Sequence, residues 1–392
     1  MTNIQSTDKQ YVANTYNRFP VTIVSGKGSE VYDENGKRYI DMGSGIGVTA
    51  MGISDDAWVA AVTCQLGKIQ HMSNLYYTEP CAKLAELLCT RTGMSKVFFS
   101  NSGAEANECA IKVARKYAAE KKGEDCYTIV TLEKSFHGRT LTTLAATGQD
   151  HFHALFQPLT PGFVHTPAND FEAFRATVEA VGADKVAGVM LECVQGEGGV
   201  IALDKDFVTA VAAYAEAHDI ILIIDEVQTG NGRTGELYAY MNFGITPDVV
   251  STAKGLGGGL PLGATLLSAK VEGVLGFGDH GSTFGGNPIA CAGAVSVIER
   301  LDEAFLADVR AKSAYVFSAF EGAPGVESVS GMGLMIGIKT VKPAADVLKA
   351  CMAQGVLCLT AKDKVRLLPA LNIPMEVLKE AVDVIKAACI PE

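Results

Sequence analysis

The sequence predicts an α/β protein: a large domain with a mostly parallel central sheet, beside a smaller α+β domain formed by both chain ends. Three observations lead there. Short unbroken apolar runs recur through the middle of the chain, as strands covered on both faces require. Segments of helical period separate them, and strand–helix alternation builds parallel sheets. The two ends lack that alternation.

Taken in order, residues 30–32 and 38–41 flank Asp33-Glu34-Asn35-Gly36, turn residues between two short runs, which predicts a hairpin. Residues 96–100 (KVFFS), 127–132 (YTIVTL), 186–191 (VAGVML), 220–224 (IILII), 248–251 (DVVS) and 262–268 (LGATLLS) read as buried strands. Residues 104–119 bring Ala106, Ala110, Val113 and Tyr117 onto one helix face, and residues 206–218 do the same with Phe207, Val211 and Tyr214. After residue 289, helical stretches at 290–301 and 305–320 precede 331–338 and a final strand–helix unit. The expected division is 1–52 for the N-terminal segment and its share of the small domain, 53–288 for the large domain, and 289–392 for the rest of the small domain. No Gly/Ser- or Pro-rich linker and no fixed-period repeat interrupts it.

Composition narrows the function. The 392 residues carry 33 Lys and Arg against 44 Asp and Glu, a net charge of −11, which disfavours nucleic acid as a partner. With 48% hydrophobic and 20% charged residues, the chain is globular rather than disordered. The central run 220–224 is far shorter than the ~20 residues of a membrane span, and residues 1–10 show no apolar signal core. The ten cysteines contain no CxxC pair and sit in mostly apolar surroundings, so a reduced, cytoplasmic protein is expected.

Three places carry chemistry. The run 220–224 ends in Asp225-Glu226, which delivers a carboxylate to the carboxyl edge of a sheet. That acid could hold Mg²⁺ for a nucleotide hydrolase or pair with a cofactor cation. The hydrolase needs a GxxxxGK[ST] loop; Gly26-Lys27-Gly28, Gly36-Lys37-Arg38 and Gly67-Lys68-Ile69 all lack its flanks. Lys254 ends an apolar run and precedes a glycine-rich turn. Burial there would free its amine as a nucleophile, whereas a lysine taken alone is more often a surface residue. Asn101-Ser102-Gly103-Ala104-Glu105 lies between strand and helix, where backbone N–H groups can hold a phosphate; a capping box from Ser102 to Glu105 is the plainer reading. Pyridoxal 5′-phosphate wants a phosphate cup, an acid and a lysine together.

With these residues in view, the chain resembles the class III (subgroup II) pyridoxal-phosphate aminotransferases of fold type I, and among them the acetylornithine aminotransferases. The likeness runs from about Asn14 to the C-terminus. It rests on Ser100-Asn-Ser-Gly-Ala-Glu-Ala-Asn-Glu108, Ser135-Phe-His-Gly-Arg-Thr140, Gln195-Gly-Glu-Gly-Gly199, Asp225-Glu-Val-Gln-Thr-Gly230, Lys254-Gly, Ser282-Thr-Phe-Gly-Gly-Asn-Pro288 and Arg366-Leu-Leu-Pro369. The resemblance implies that Lys254 carries the cofactor covalently and then acts as base and acid, and that Asp225 pairs with the pyridine nitrogen. It assigns Gln228 to the ring's 3′-oxygen, Phe136 to the ring face, and Val227 to the cofactor's surroundings. Ser102, Gly103 and Ala104 would bind the phosphate, and Thr283 would complete that site from the other subunit of a homodimer.

For substrate, the resemblance gives Arg139 the α-carboxylate and Ser282 a further contact with the acyl-amino acid. Glu197 would mask Arg366 while an ω-amine is bound and release it for a second carboxylate. Taken singly, both arginines could instead be structural ion-pair residues. The implied reaction moves the δ-amino group of N2-acetylornithine to 2-oxoglutarate, giving N-acetylglutamate 5-semialdehyde and glutamate in arginine biosynthesis. Ornithine, succinylornithine or 4-aminobutyrate are alternative donors, and a non-catalytic cofactor binder or a nucleotide hydrolase are the alternatives outside the family. Two departures stand out: Met51-Gly52-Ile53-Ser54-Asp55-Asp56 replaces a common Leu-Gly-His stretch with a nearby His-Pro, and Glu192-Cys193 replaces Glu-Pro. Neither is expected to touch a cofactor contact. No metal is expected: His151-x-His153 lacks a third ligand and reads as a surface loop pair. Gly43-x-Gly45-x-Gly47 fails the dinucleotide fingerprint, and Trp58 reads as packing.

Overall fold

The computed structural model describes residues 4–391. Its centre is a seven-stranded sheet in the order Lys96–Ser100, Gly263–Leu267, Val249–Thr252, Ile221–Asp225, Val186–Leu191, Thr128–Leu132 and Phe163–Thr166. From Val249–Thr252 onward the neighbours run parallel. Gly263–Leu267 alone runs antiparallel to both of its neighbours. The expected sheet is therefore present and mostly parallel. Its parallel core strands Val186–Leu191 and Ile221–Asp225 are buried along their whole length, which is why their sequences are apolar without alternation.

Helix Gly103–Lys122 lies across this sheet and buries Ala106, Ala110, Val113, Ala114 and Tyr117. Its alanines allow a close approach: a Cβ on Gly188 would lie 3.2 Å from that of Ala114. Helix Lys205–Ala217 buries Phe207 and Val211, while Tyr214 packs edge-on against Phe174 with centroids 5.6 Å apart.

Several expectations shift. The run expected at 220–224 is strand Ile221–Asp225, so the acid is itself the last strand residue. Phe163–Thr166 was not anticipated, because it is short, lies at the sheet edge and is only half-buried over most of its length. Residues 331–338 do not form one element. They belong to an antiparallel hairpin of Val326–Met332 and Met335–Thr340, whose turn residue Gly333 has φ +59° and lies so close to the Arg233 carbonyl that a Cβ would clash.

The chain ends meet in a second sheet. Ile23–Lys27, Glu30–Asp33 and Arg38–Asp41 form a meander, and Val356–Leu357 joins it parallel to Arg38–Asp41. A third sheet carries Lys364–Leu367 between Met335–Thr340 and Leu359–Ala361. Helix Met375–Cys389 closes the C-terminal part. Among the described residues, no helix is long and apolar enough to cross a membrane, and none of the ten cysteines is bridged.

Candidate active site

The strands of the large sheet deliver Asp225, and the segments just beyond their carboxyl ends deliver Ser102, Phe136, Glu192 and Lys254, to one cavity of about 460 Å³. This is where open α/β sheets bind ligands. Ser102 caps helix Gly103–Lys122: its Oγ accepts the Glu105 N–H at 3.2 Å. Glu105 in turn accepts the Asn101 N–H at 2.7 Å. The cap and the anion site coexist, since Ser102, Gly103 and Ala104 all face the cavity at the positive end of a twenty-residue helix. Gly103 is required here, because a Cβ would come within 2.6 Å of the Val227 side chain.

Asp225 is 3% exposed and engaged on both oxygens, with a lone pair of Oδ1 left over. Its Oδ2 accepts from Asn107 Nδ2 and faces His137 Nδ1, both at 2.8 Å, and its Oδ1 accepts the Val227 N–H at 3.0 Å. Asn107 also ties down the His137 carbonyl at 2.8 Å. Neither Asn107 nor His137 was singled out from the sequence. Asn107 lies one helical turn beyond Gly103 on the same face, and His137 sits between Phe136 and Arg139, so both were within the quoted motifs.

Lys254 lies two residues past strand Val249–Thr252, in the turn Lys254–Leu256, with φ +44°. It is partly buried and lines the cavity, so the surface-lysine alternative fails. Among the described residues its amine has no hydrogen-bond or ion-pair partner. Burial pushes its pKa down, while the Glu197 and Asp225 charges oppose that shift. An uncommitted amine with a depressed pKa is a ready nucleophile and proton carrier.

Arg366 is 3% exposed. Its Nη1 pairs with Glu197 Oε1 at 2.5 Å and reaches Gln228 Oε1 at 3.3 Å. Burial raises the Glu197 carboxyl, but the charge and hydrogen bond of Arg366 outweigh it and hold the carboxyl below its ordinary value. Arg139 behaves differently. It is exposed at the cavity wall, makes no ion pair among the described residues, and rests its guanidinium 5.1 Å from the Phe136 ring centroid and 5.8 Å from that of Phe152. Arg366 is thus in an ion pair, the partner being the Glu197 that the resemblance names, and Arg139 is not.

Ser282 does not line the cavity. Its Oγ accepts from Asn101 Nδ2 at 3.1 Å and from the Gly285 N–H at 2.8 Å. Thr283 is exposed and lies outside its own chain's cavity.

The Glu192-Cys193 departure lies beside the site, with the unchanged Glu192 on the cavity wall and the substituted Cys193 turned away from it. Glu192 lines the cavity and accepts the Phe136 N–H at 2.8 Å and the Gly196 N–H at 3.4 Å. Burial pushes its pKa up to about 7, against the opposing effect of His137. Cys193 points into the core. The 51–56 departure is built into packing: Met51 is buried and its carbonyl accepts from Asn372 Nδ2 at 3.0 Å. His151 and His153 lie in a short helix, Asp150–His153, rather than a loop, and His153 Nε2 meets the Thr147 carbonyl at 2.7 Å. Trp58 packs as expected and donates to the Gly257 carbonyl at 3.0 Å. Among the described residues, no three His, Cys, Asp or Glu side chains converge as a metal site.

Residues 11–389 match the family model of the class-III aminotransferases. The chain is 50% identical over 384 residues to an acetylornithine aminotransferase of Haemophilus ducreyi, covering 97% of each chain. It superposes on the solved N-acetylornithine aminotransferase of Stenotrophomonas maltophilia K279a with a TM-score of 0.84 and 35% identity, over 98% of this chain and 97% of that one. A solved ornithine aminotransferase of Toxoplasma gondii, with pyridoxal phosphate at partial occupancy in its active site, gives a TM-score of 0.93 at 29% identity, over 98% and 93% of the two chains.

Proposed function

The chain belongs to the class-III aminotransferase family, and on that premise we propose that it moves the δ-amino group of N2-acetylornithine to 2-oxoglutarate, giving N-acetylglutamate 5-semialdehyde and glutamate. Its cofactor is pyridoxal 5′-phosphate. The cavity suits that group: a helix start for the phosphate, a buried carboxylate for a protonated ring nitrogen, and a free amine for the aldehyde. Ser102, Gly103 and Ala104 would hold the phosphate, Asp225 the ring nitrogen and Gln228 the 3′-oxygen, with Phe136 and Val227 as apolar walls. When bound, the cofactor supplies an electron sink and carries the amino group from one substrate to the next.

The protein's own groups do the rest. Asn107 and His137 fix the orientation of Asp225. Lys254 Nζ holds and moves the proton at the reacting carbon. Arg139 grips a carboxylate of either substrate in a planar, bidentate fit, and Ser282, which lies outside its own chain's cavity beside Thr283, would add a further contact only from the partner subunit. Glu197 covers Arg366 until a second carboxylate competes for it. The observation that carries this reading is the uncommitted amine of Lys254 in the same cavity as the buried carboxylate of Asp225. A cofactor-loaded, coloured protein that bleaches with an amino donor and recovers with 2-oxoglutarate supports it. A non-catalytic binder would keep its colour, and a nucleotide hydrolase would release phosphate from ATP without any change of colour.

The choice of N2-acetylornithine over ornithine, succinylornithine or 4-aminobutyrate follows the 50% identity to an acetylornithine aminotransferase, against 29% to an ornithine aminotransferase. The division into 1–52, 53–288 and 289–392, the cytoplasmic location and a place in arginine biosynthesis belong to the same proposal. So does a homodimer with shared sites. Leu75, Tyr76, Tyr77 and Phe284 are exposed beside Thr283, an apolar patch of the kind that a partner subunit covers, and Asn74 binds that segment through the Ser282 and Gly285 carbonyls at 2.9 and 3.0 Å. If Thr283 serves the partner's phosphate, cofactor binding and dimerisation are linked. Thr283→Ala is expected to weaken cofactor retention in equilibrium dialysis, and added cofactor to lower the dimer dissociation constant by sedimentation. A fully active monomer would contradict this.

A further inference from the structure

One loop, residues 226–235, joins the cofactor side of the cavity to the sheet that carries Arg366. Asn231 reaches from it toward the lysine: its Nδ2 donates to Thr252 Oγ1 at 3.1 Å and to the carbonyl of Ala253, the residue before Lys254, at 3.2 Å. Arg233 reaches the other way. Its Nη1 donates to the carbonyls of Leu334 at 3.2 Å and Pro369 at 2.5 Å, and its own carbonyl accepts the Leu334 N–H at 2.9 Å. Leu334 immediately precedes strand Met335–Thr340, in which Gly337 stands opposite Arg366, and Pro369 follows Arg366 by three residues. The two acceptors of this guanidinium therefore lie together at one end of the strand pair on which Arg366 is mounted, the end where Ile336 stands opposite Leu367.

Arg233 is 2% exposed, and among the described residues it has no carboxylate partner. Its Nη2 is buried and unpartnered, against the backbone turn at Gly47, one residue before Val48 of the cavity wall. Burial lowers its pKa to about 9, so the side chain stays cationic at neutral pH. A buried cation without a counter-ion is costly, and a neutral residue could fill the space. What a guanidinium adds is a rigid, planar Nη1 whose two N–H groups are held in fixed directions, here toward two carbonyls from different segments.

We infer that Arg233 is a positioning residue for the dicarboxylate substrate: by pinning Leu334 and Pro369 to the 226–235 loop, it sets where Arg366 stands behind Gln228, and so how well a second carboxylate is received. The inference rests on the reading of Arg366 given above. The donor ω-amine makes no use of that arginine, so the two half-reactions separate a positioning role from a general loss of structure.

The test compares Arg233→Met, Arg233→Lys and Arg366→Met holoenzymes in single-turnover half-reactions with glutamate and with N2-acetylornithine, together with calorimetric binding of glutarate, a dicarboxylate without the keto group. In Arg233→Met the glutarate Kd and the half-saturating glutamate concentration are expected to rise by roughly tenfold or more, as a misplaced binding group costs, while the acetylornithine half-reaction changes by less than about twofold. Arg233→Lys, which keeps the charge without the rigid planar donor geometry, is expected to fall between, and it carries the test if the Met variant does not fold. An equal loss in both half-reactions, or an unchanged glutarate Kd in the Arg233 variants while Arg366→Met weakens it, overturns the inference alone. An unchanged glutarate Kd in Arg366→Met overturns the reading of Arg366 and this inference with it.

Discussion

Lys254→Ala protein is expected to keep its cofactor and lose transamination by roughly four orders of magnitude, the upper end of what a positioned proton carrier contributes. The two halves of that result have separate physical origins. Cofactor retention follows from groups the substitution leaves in place: the helix start at Ser102–Ala104 for the phosphate and the engaged carboxylate of Asp225 for the ring. The loss of turnover follows from removing the free amine in the cavity, which no neighbouring base replaces. Glu192 is the nearest in kind, but it is committed to the Phe136 and Gly196 N–H groups. Dialysis measures retention, and single-turnover kinetics with either substrate measures the loss. Near-normal turnover would remove Lys254 from the mechanism.

Glu197→Gln is expected to shift the donor preference toward glutamate by roughly 10²-fold, the scale of a desolvated, hydrogen-bonded charge pair. The substitution removes the negative charge that holds Arg366 at 2.5 Å and leaves that arginine available throughout the cycle. The glutamate half-reaction should then gain on the acetylornithine half-reaction, which slows. Acid should imitate the substitution. The Glu197 carboxyl lies below its ordinary value because of Arg366. The pair is therefore intact above the ordinary glutamate range and is lost only as pH falls through the lowered value. Stopped-flow half-reactions measure the ratio directly. Equal slowing of both would make Glu197 structural.

The chemistry was more legible in the sequence than the scaffolding. Lys254, Asp225 and the Ser102–Ala104 turn each combine a reactive or small residue with a strand end, a pattern that survives in one dimension, whereas Gln228 followed only from the family resemblance. The sheet was legible for the same reason: strands buried on both faces must be apolar throughout. The edge strand Phe163–Thr166 was not, because half-burial imposes no such pattern. His137 and Asn107 were missed because they bind Asp225 across separations of 88 and 118 residues, and nothing local marks a residue whose partner is a distant carboxylate. Glu192 was overlooked beside its neighbour: attention went to Cys193, which faces the core, while Glu192 faces the cavity. Arg233 reads as one more charged residue in a glycine-rich loop, and its burial becomes visible only when the C-terminal segment folds over it.

The most direct measurement is a panel of amino donors, N2-acetylornithine, ornithine, succinylornithine and 4-aminobutyrate, run as stopped-flow half-reactions on the cofactor-loaded protein. N2-acetylornithine should bleach it with the highest ratio of rate to half-saturating concentration, and 2-oxoglutarate should restore the colour. A higher ratio for any of the other three would contradict the assignment of donor, and no bleaching with any of them would contradict ω-amine transfer itself.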